Sequence, residues 1–396
     1  MRSLKEADVK GRRVLVRVDF NIPLKNGKVV DDKRIRAALP TIDFLRKKKA
    51  KVILISHLGR PDGKVVEDLR LEPIAHALSK MLKYPVHHEP DCIGSDVEDR
   101  VRTLHDGDVL LLENLRFYPE EEADDDLFAQ KLAAFADVYV NDAFGTCHRA
   151  HASVHAVTRY LPSYAGFLLE KEVKVLSSLL KNPKRPFVAV MGGAKVSDKI
   201  KVIENLLKRV DAILIGGAMM FTFYKALGYN IGKSKFEADK VALAKALLKK
   251  GKKKLALPID VVVALSPKAK GKVMSSRSIP KSMMGLDIGP VTQQIYANII
   301  RDAKTVFWNG PMGMFEVKRF AKGTLSIAKA MAECRGVTVV GGGETVSAVE
   351  KLSKKFTHVS TGGGAALEFL EGKSLPGIAA LDDNEKSLSD KHFMFL

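Results

Sequence analysis

Residues 187–201, FVAVMGGAKVSDKIK, constrain the fold more than any other stretch of this chain. The apolar run Phe187–Met191 is short and ends at Gly192-Gly193, so it reads as a buried parallel strand. Ser197 or Asp198 is then expected to cap a helix whose inner face is Ile200, Ile203, Leu206, Leu207 and Val210. Strand, glycine turn and helix start together make an anion site, because unpaired N–H groups and the positive dipole end point into one crevice. Lys195 and Lys199 add two cations there. An ordinary strand-to-helix turn with surface lysines is the alternative. The stretch lacks G-x-x-x-x-G-K-[ST] spacing, so it is not a P-loop of the familiar kind.

The same unit recurs toward the N-terminus. Strand-like runs at 13–18, 51–55, 108–112 and 137–140 lead into Asp19-Phe20-Asn21, Ser56-His57-Leu58-Gly59-Arg60, Glu113-Asn114-Leu115-Arg116 and the segment from Asn141 to Arg149. Helical patterns separate them, such as Ile35, Leu39, Ile42 and Leu45, with Pro40 expected to kink or shorten that helix. Alternating strands and helices imply a parallel sheet, with ligands met beyond its carboxyl ends. Arg60, Arg116 and Arg149 lie in three of the four tails, and Arg34 opens a helix nearby. One such arginine would be a surface ion pair; several on one edge predict an anion site, since guanidinium forks match phosphate and carboxylate oxygens.

A helix at 168–181, ended by Asn182-Pro183, stands where arginine tails give way to glycine tails. Beyond it, apolar runs end in Gly216-Gly217, Asn309-Gly310, Gly341-Gly342-Gly343-Glu344-Thr345 and Thr361-Gly362-Gly363-Gly364. With Gly192-Gly193 these five turns suit a nucleotide and its phosphates, because glycine lets backbone N–H groups approach closely. None follows G-x-G-x-x-G, as Val346 and Leu367 occupy the third glycine's place, which disfavours a dinucleotide-dependent dehydrogenase. An arginine edge and a glycine edge joined by a helix suit transfer of a charged group between two separately held substrates, with closure excluding water.

At 396 residues the chain is expected to form two domains. Scattered Cys92, Cys147 and Cys334 indicate a reducing compartment without a disulfide framework or a cysteine zinc site. A formal charge of +19 favours anionic partners. A polyanion-binding protein is thus a competing class, although no nucleic-acid motif is present. No apolar run is long enough to span a membrane and residues 1–10 are charged, so a cytoplasmic protein without membrane contact is expected. The acidic run 120–126 reads as solvated surface. His148, His151 and His155 have the spacing of one helical face, yet Arg149 and Arg159 nearby favour hydrogen-bonding histidines over a metal site.

Together, RVDFNIP, SHLGRPDG, LLENLRF, VYVNDAFGTCHRAH, GGAKVSDKI, FWNGPMGMFE and STGGGAALEFLEGKSLPG resemble phosphoglycerate kinases, over the chain to about Leu381. The resemblance implies reversible transfer of the acyl phosphate of 1,3-bisphosphoglycerate to ADP, giving 3-phosphoglycerate and ATP with Mg²⁺. It implies an α/β fold of two Rossmann-like domains with parallel sheets, a hinge and a monomeric state. Asp19, Asn21, Arg34, His57, Leu58, Gly59, Arg60, Arg116 and Arg149 resemble the phosphoglycerate site. Lys195, Lys199, Asn309, Gly310, Glu316, Gly342, Gly343, Glu344 and Thr345 resemble the nucleotide site. Arg34, Lys199 and Lys195 are the expected catalytic cations. Glu344 stands where the family usually has Asp, and is the expected carboxylate for the metal, directly or through water. A carboxylate acceptor is already ionised, so the reaction needs no general base. Another carboxyl kinase would share this chemistry. The expected division is an N-terminal domain at 1–167, a connecting helix at 168–181, a nucleotide domain at 182–375 and a tail at 376–396 packing back on the first domain. The tail does not end in S-K-L, and no role attaches to its last four residues.

Overall fold

The computed structural model describes residues 1–393, so residues 394–396 of the unassigned terminal stretch lie outside the described residues. The chain forms two compact units, one of Met1–Lys174 with Ser374–Leu396 and one of Val175–Lys373.

The first unit is built on six strands, in spatial order Val86–His88, Val109–Leu111, Lys51–Ile55, Arg13–Arg17, Val138–Asn141 and Ser163–Ala165. Every pairing is parallel. Arg17 sits opposite both Ile55 and Asn141, and Leu54 opposite Leu111, so the four central strands release their polar tails at nearly one level. Val14, Val16 and Val18 face a core completed by Ile35, Ile42, Leu45, Ile74 and Leu78. Each such side chain is worth about 1.5–3 kcal/mol on full burial, which outweighs local interruptions. Helix Lys33–Lys47 accordingly runs unbroken through Pro40. Pro40 is exposed, so the carbonyl it leaves unpaired meets water, and the expected shortening does not occur.

The second unit contains another all-parallel sheet, in order Leu255–Ala256, Ala212–Ile215, Phe187–Met191, Thr305–Asn309, Val337–Gly341 and His358–Val359. Its connectivity reverses direction between Phe187–Met191 and Thr305–Asn309. Open α/β sheets bind ligands outside the carboxyl ends at such a switch point. The five glycine turns follow five adjacent strands and therefore form a continuous row. A three-stranded antiparallel sheet, Asp260–Ala264 between Lys272–Ser275 and Met284–Ile288, is an addition that strand–helix alternation did not predict.

Helix Phe167–Lys181 contains the division between the units. Asp142 holds its first turn: Oδ1 accepts the Leu168 N–H at 2.8 Å and the Leu169 N–H at 3.4 Å. Helix Pro376–Phe393 belongs to the first unit. Its Asn384 accepts from Arg2 and from the Ser163 N–H, and donates to the Thr158 and Leu161 carbonyls. Among the described residues no helix is long and apolar enough to cross a membrane. The three cysteines are free.

Candidate functional site

On the first unit, the tail of Arg13–Arg17 brings Asp19 and Asn21 against Arg34 at the start of helix Lys33–Lys47. Arg34 Nη1 donates to Asp19 Oδ1 at 2.9 Å and to the Asn21 carbonyl at 3.0 Å. Asn21 Oδ1 accepts the Gly59 N–H at 3.0 Å, which ties this tail to the next. Asn114 clamps the Leu58 backbone, accepting its N–H at 3.1 Å and donating to its carbonyl at 2.8 Å. Arg116 Nη1 donates to the Gly59 carbonyl at 2.9 Å, and Nη2 pairs with Glu122 at 3.1 Å. Hydrogen bonds thus join Asp19, Asn21, Arg34, Leu58, Gly59 and Arg116 into one edge. Arg60 is exposed outside this lattice, and Arg149 is exposed with its Nε on His148 Nε2 at 3.2 Å.

The edge stores positive charge. Burial lowers the Arg116 guanidinium from its ordinary value; Glu122 opposes this, while Arg17 and Arg149 add to it. Burial, then Arg116, Arg17 and Arg149, push His151 down to about 3. His57 is driven well below its usual range by burial and by Arg17, Arg116 and Arg34. Like charges converging this way are what an anion would relieve.

Three of the residues behind this edge escaped the sequence patterning. Arg17 and Glu121 are fully buried beside Ser153, so Glu121 departs from the solvated run expected at 120–126. Glu120, Glu122 and Asp126 are exposed as expected, while Asp125 caps the following helix and Asp124 bonds His155 Nδ1 at 2.6 Å. His148 lies in a turn and His151 outside any regular element, so the three histidines do not share the face of one helix. The signal for Glu121 was Arg17 itself, a charge within the apolar strand RVLVR.

On the second unit, Lys199 is buried and its Nζ donates to Asn309 Oδ1 across the sheet's switch point. Burial lowers the Lys199 ammonium from its ordinary value, while Asp198 and Glu344 oppose that fall. The Gly310 N–H donates to Thr345 Oγ1 at 2.7 Å. Gly310 has φ +92°, and a Cβ there would lie 2.2 Å from the Gly192 carbonyl oxygen. A Cβ on Gly342 would lie 2.7 Å from Asn309 Nδ2. Lys199, Asn309, Gly310, Gly342 and Thr345 are therefore one contiguous cluster, with Glu344 and Gly343 exposed at its rim in helix Gly343–Ala348. Lys195 is exposed beside it, and Glu316 is exposed in the loop after Thr305–Asn309.

The helix after Gly192-Gly193 begins at Ile200 and has no side-chain cap, contrary to the expectation for Ser197 or Asp198. Glu237 is the reason. Its carboxylate takes the Val196 N–H at 2.6 Å, the Ser197 N–H at 3.0 Å and the Ser197 hydroxyl at 2.5 Å. Burial alone would raise Glu237, but these donors hold it below the usual carboxylate range.

Among the described residues no three His, Cys, Asp or Glu side chains gather to hold a metal. A lone carboxylate such as Glu344 fits Mg²⁺ nonetheless, since that ion keeps several waters and is commonly held by one or two carboxylates plus substrate phosphates.

Comparison with known proteins identifies the family. The phosphoglycerate kinase family model matches residues 4–373. The chain is 55% identical over 388 residues to the phosphoglycerate kinase of Dictyoglomus turgidum, covering 96% of this chain and 98% of that protein. It is 56% identical over 389 residues to that of Moorella thermoacetica, covering 96% and 99%. The solved phosphoglycerate kinase of Coxiella burnetii superposes with a TM-score of 0.87 at 41% identity, over 96% of this chain and 98% of that one. That of Pyrococcus horikoshii OT3 superposes with 0.88 at 34% identity, over 98% and 100%. With its arginine-lined and glycine-lined sheet edges and these likenesses along nearly its whole length, the chain belongs to the phosphoglycerate kinase family.

Proposed function

We infer that the protein catalyses reversible phosphoryl transfer between the 1-carboxyl of 3-phosphoglycerate and ADP/ATP, as a glycolytic and gluconeogenic kinase. The observation that carries this reading is the convergence of Arg17, Arg34 and Arg116 around His57 on one strand edge, each beside a carboxylate of the protein, with Arg60 and Arg149 exposed along the same edge. Asp19, Asn21, Arg34, His57, Leu58, Gly59, Arg60, Arg116 and Arg149 receive phosphoglycerate. Lys195, Lys199, Asn309, Gly310, Glu316, Gly342, Gly343, Glu344 and Thr345 receive the nucleotide. Mg²⁺, when bound, neutralises phosphate charge, and Glu344 is the residue that would hold it, directly or through water.

The acceptor carboxylate is ionised at neutral pH, so its attack needs orientation rather than proton removal. Arg34 and Lys199 stabilise the charge of the moving phosphoryl from their separate edges, with Lys195 supporting it. Hinge closure in a cytoplasmic monomer completes the picture, because transfer to water must be prevented.

A coupled assay with 3-phosphoglycerate and Mg-ATP, run beside acetate, tests the assignment. Turnover with 3-phosphoglycerate alone is expected. Preference for acetate would assign another carboxyl kinase, and no turnover with either, together with salt-sensitive RNA binding, would favour a polyanion-binding role.

A further inference from the structure

The buried polar chain behind the arginine edge fixes more than packing. Arg17 Nε donates to Ser153 Oγ at 2.8 Å, Nη1 donates to the Val18 carbonyl at 2.5 Å, and Nη2 lies 3.2 Å from His57 Nδ1. Ser153 in turn gives its hydroxyl and its N–H to Glu121, at 2.6 and 2.9 Å. Glu121 Oε1 stands 3.8 Å from Arg17 Nη2, with both side chains fully buried. A guanidinium has N–H donors and no acceptor. At the contact with His57, therefore, Arg17 is the donor and Nδ1 the acceptor. The neutral ring must then carry its proton on Nε2, for which no hydrogen bond is made within the described residues.

We propose that Glu121 and Arg17 are positioning residues that hold His57 as the neutral Nε2–H tautomer, presenting one N–H donor to the anion of the arginine edge. The ligand half of this inference rests on the phosphoglycerate reading above; the tautomer half does not. An imidazolium would set an N–H on Nδ1 against the Arg17 N–H. Its charge would also face Arg17 from its neighbouring strand, Arg116, Arg34 and His151, and burial opposes it further. Glu121 supplies the counter-charge that keeps a fully buried guanidinium in place, since such a charge is retained only when paired and hydrogen-bonded. Without Glu121, Arg17 has reason to turn toward another carboxylate and leave Nδ1.

The test is long-range ¹H–¹⁵N spectroscopy of the full-length protein labelled at histidine, with His57 assigned by its loss in His57→Gln. The expected pattern is a pyridine-like Nδ1 and a protonated Nε2, unchanged from pH 6 to 8, with Nε2 shifting on addition of 3-phosphoglycerate. A proton on Nδ1, or an imidazolium at pH 7, overturns the proposal whatever the enzyme's activity. A fixed tautomer whose Nε2 ignores 3-phosphoglycerate overturns the ligand assignment and leaves the positioning supported. Glu121→Gln is expected to mix the two tautomers and raise KM for 3-phosphoglycerate about tenfold, with KM for ATP unmoved. A wild-type tautomer and KM in that variant overturn the role of Glu121. Should Glu121→Gln not fold, Ser153→Ala perturbs the same chain more gently and is read by the same two signals.

Discussion

Asp142 offers a quantitative test, because it is a buried carboxyl without a cation at the start of helix Phe167–Lys181. Burial pushes it up to about 7 from its ordinary 3.8; Thr41 and the Leu168 and Leu169 N–H groups oppose the rise, and Glu170 adds to it. Its Oδ2 is buried without a hydrogen-bond partner. The native state therefore binds this proton more tightly than the unfolded chain does. Between about pH 4 and 7 unfolding releases the proton, so stability falls as pH rises through that window and is flat above it. A displacement of about three pH units at 1.36 kcal/mol each amounts to roughly 4 kcal/mol between the two limits. Asp142→Asn keeps an oxygen acceptor for Leu168 and abolishes the titration. The new amide carries its own desolvation cost, about 1–3 kcal/mol, but that offset is the same at every pH. The informative quantity is therefore the pH dependence of the difference between wild type and variant. Asp287 in the other unit is also pushed up to about 7 by burial, but it is common to both proteins and cancels. For a unit of this size, 1 kcal/mol moves Tm by about 2–4 °C. About two of those units fall between pH 5 and pH 8, so calorimetry should show the variant gaining roughly 5–10 °C on wild type over that range, in the transition of the first unit. Parallel profiles over that range would refute the reasoning, and would mean that Asp142 is ionised throughout.

Arg34→Ala removes a donor expected to act mainly in the transition state, so kcat should fall about 10²–10³-fold with KM for 3-phosphoglycerate changed far less; steady-state kinetics showing near-normal turnover would remove it from that role. Glu344→Gln should raise the Mg²⁺ requirement and lower kcat, whereas Glu344→Asp should remain active with altered metal dependence; Mg²⁺ titrations at fixed ADP decide between them, and a Gln variant that tracks wild type would place the metal elsewhere. Small-angle scattering should report the mass of one chain and a smaller radius of gyration with both substrates than with either alone; an unchanged radius in the ternary complex would count against closure.

Much of the fold was legible because two independent signals coincide at its strands. Phe187–Met191, Lys51–Ile55 and Ala212–Ile215 are apolar runs followed at once by polar or glycine breaks, and each strand has the bounds of its run. Val86–His88 and Ser163–Ala165 were not legible: they are three-residue edge strands whose membership depends on a neighbour rather than on their own pattern. The cap expected at Ser197 failed for a similar reason. Local rules assign a serine to its own helix, yet this hydroxyl belongs to Glu237, 40 residues away in the chain. Glu121 was hidden in a run of carboxylates, where a solvated face is the ordinary outcome, and only its buried partner distinguishes it.

The two edges also explain why one set of site residues announces itself through side chains and the other through their absence. Four adjacent strands of the first unit end level, and three of their tails carry arginines that must avoid one another. Burial first, and then their mutual repulsion, holds His151 down at about 3 and lowers Arg116. In the second unit the turns approach until a single Cβ on Gly310 would overlap the Gly192 carbonyl, so only backbone fits. The Gly192 and Gly310 N–H groups there are paired with the Asn309 carbonyl and Thr345 Oγ1, and Lys199 is the buried cation, held by Asn309. On the proposed function, the first edge would bind through several side-chain cations, and the second through close-packed backbone with one buried cation. The larger electrostatic response to ligand is then expected on the first edge, around His57.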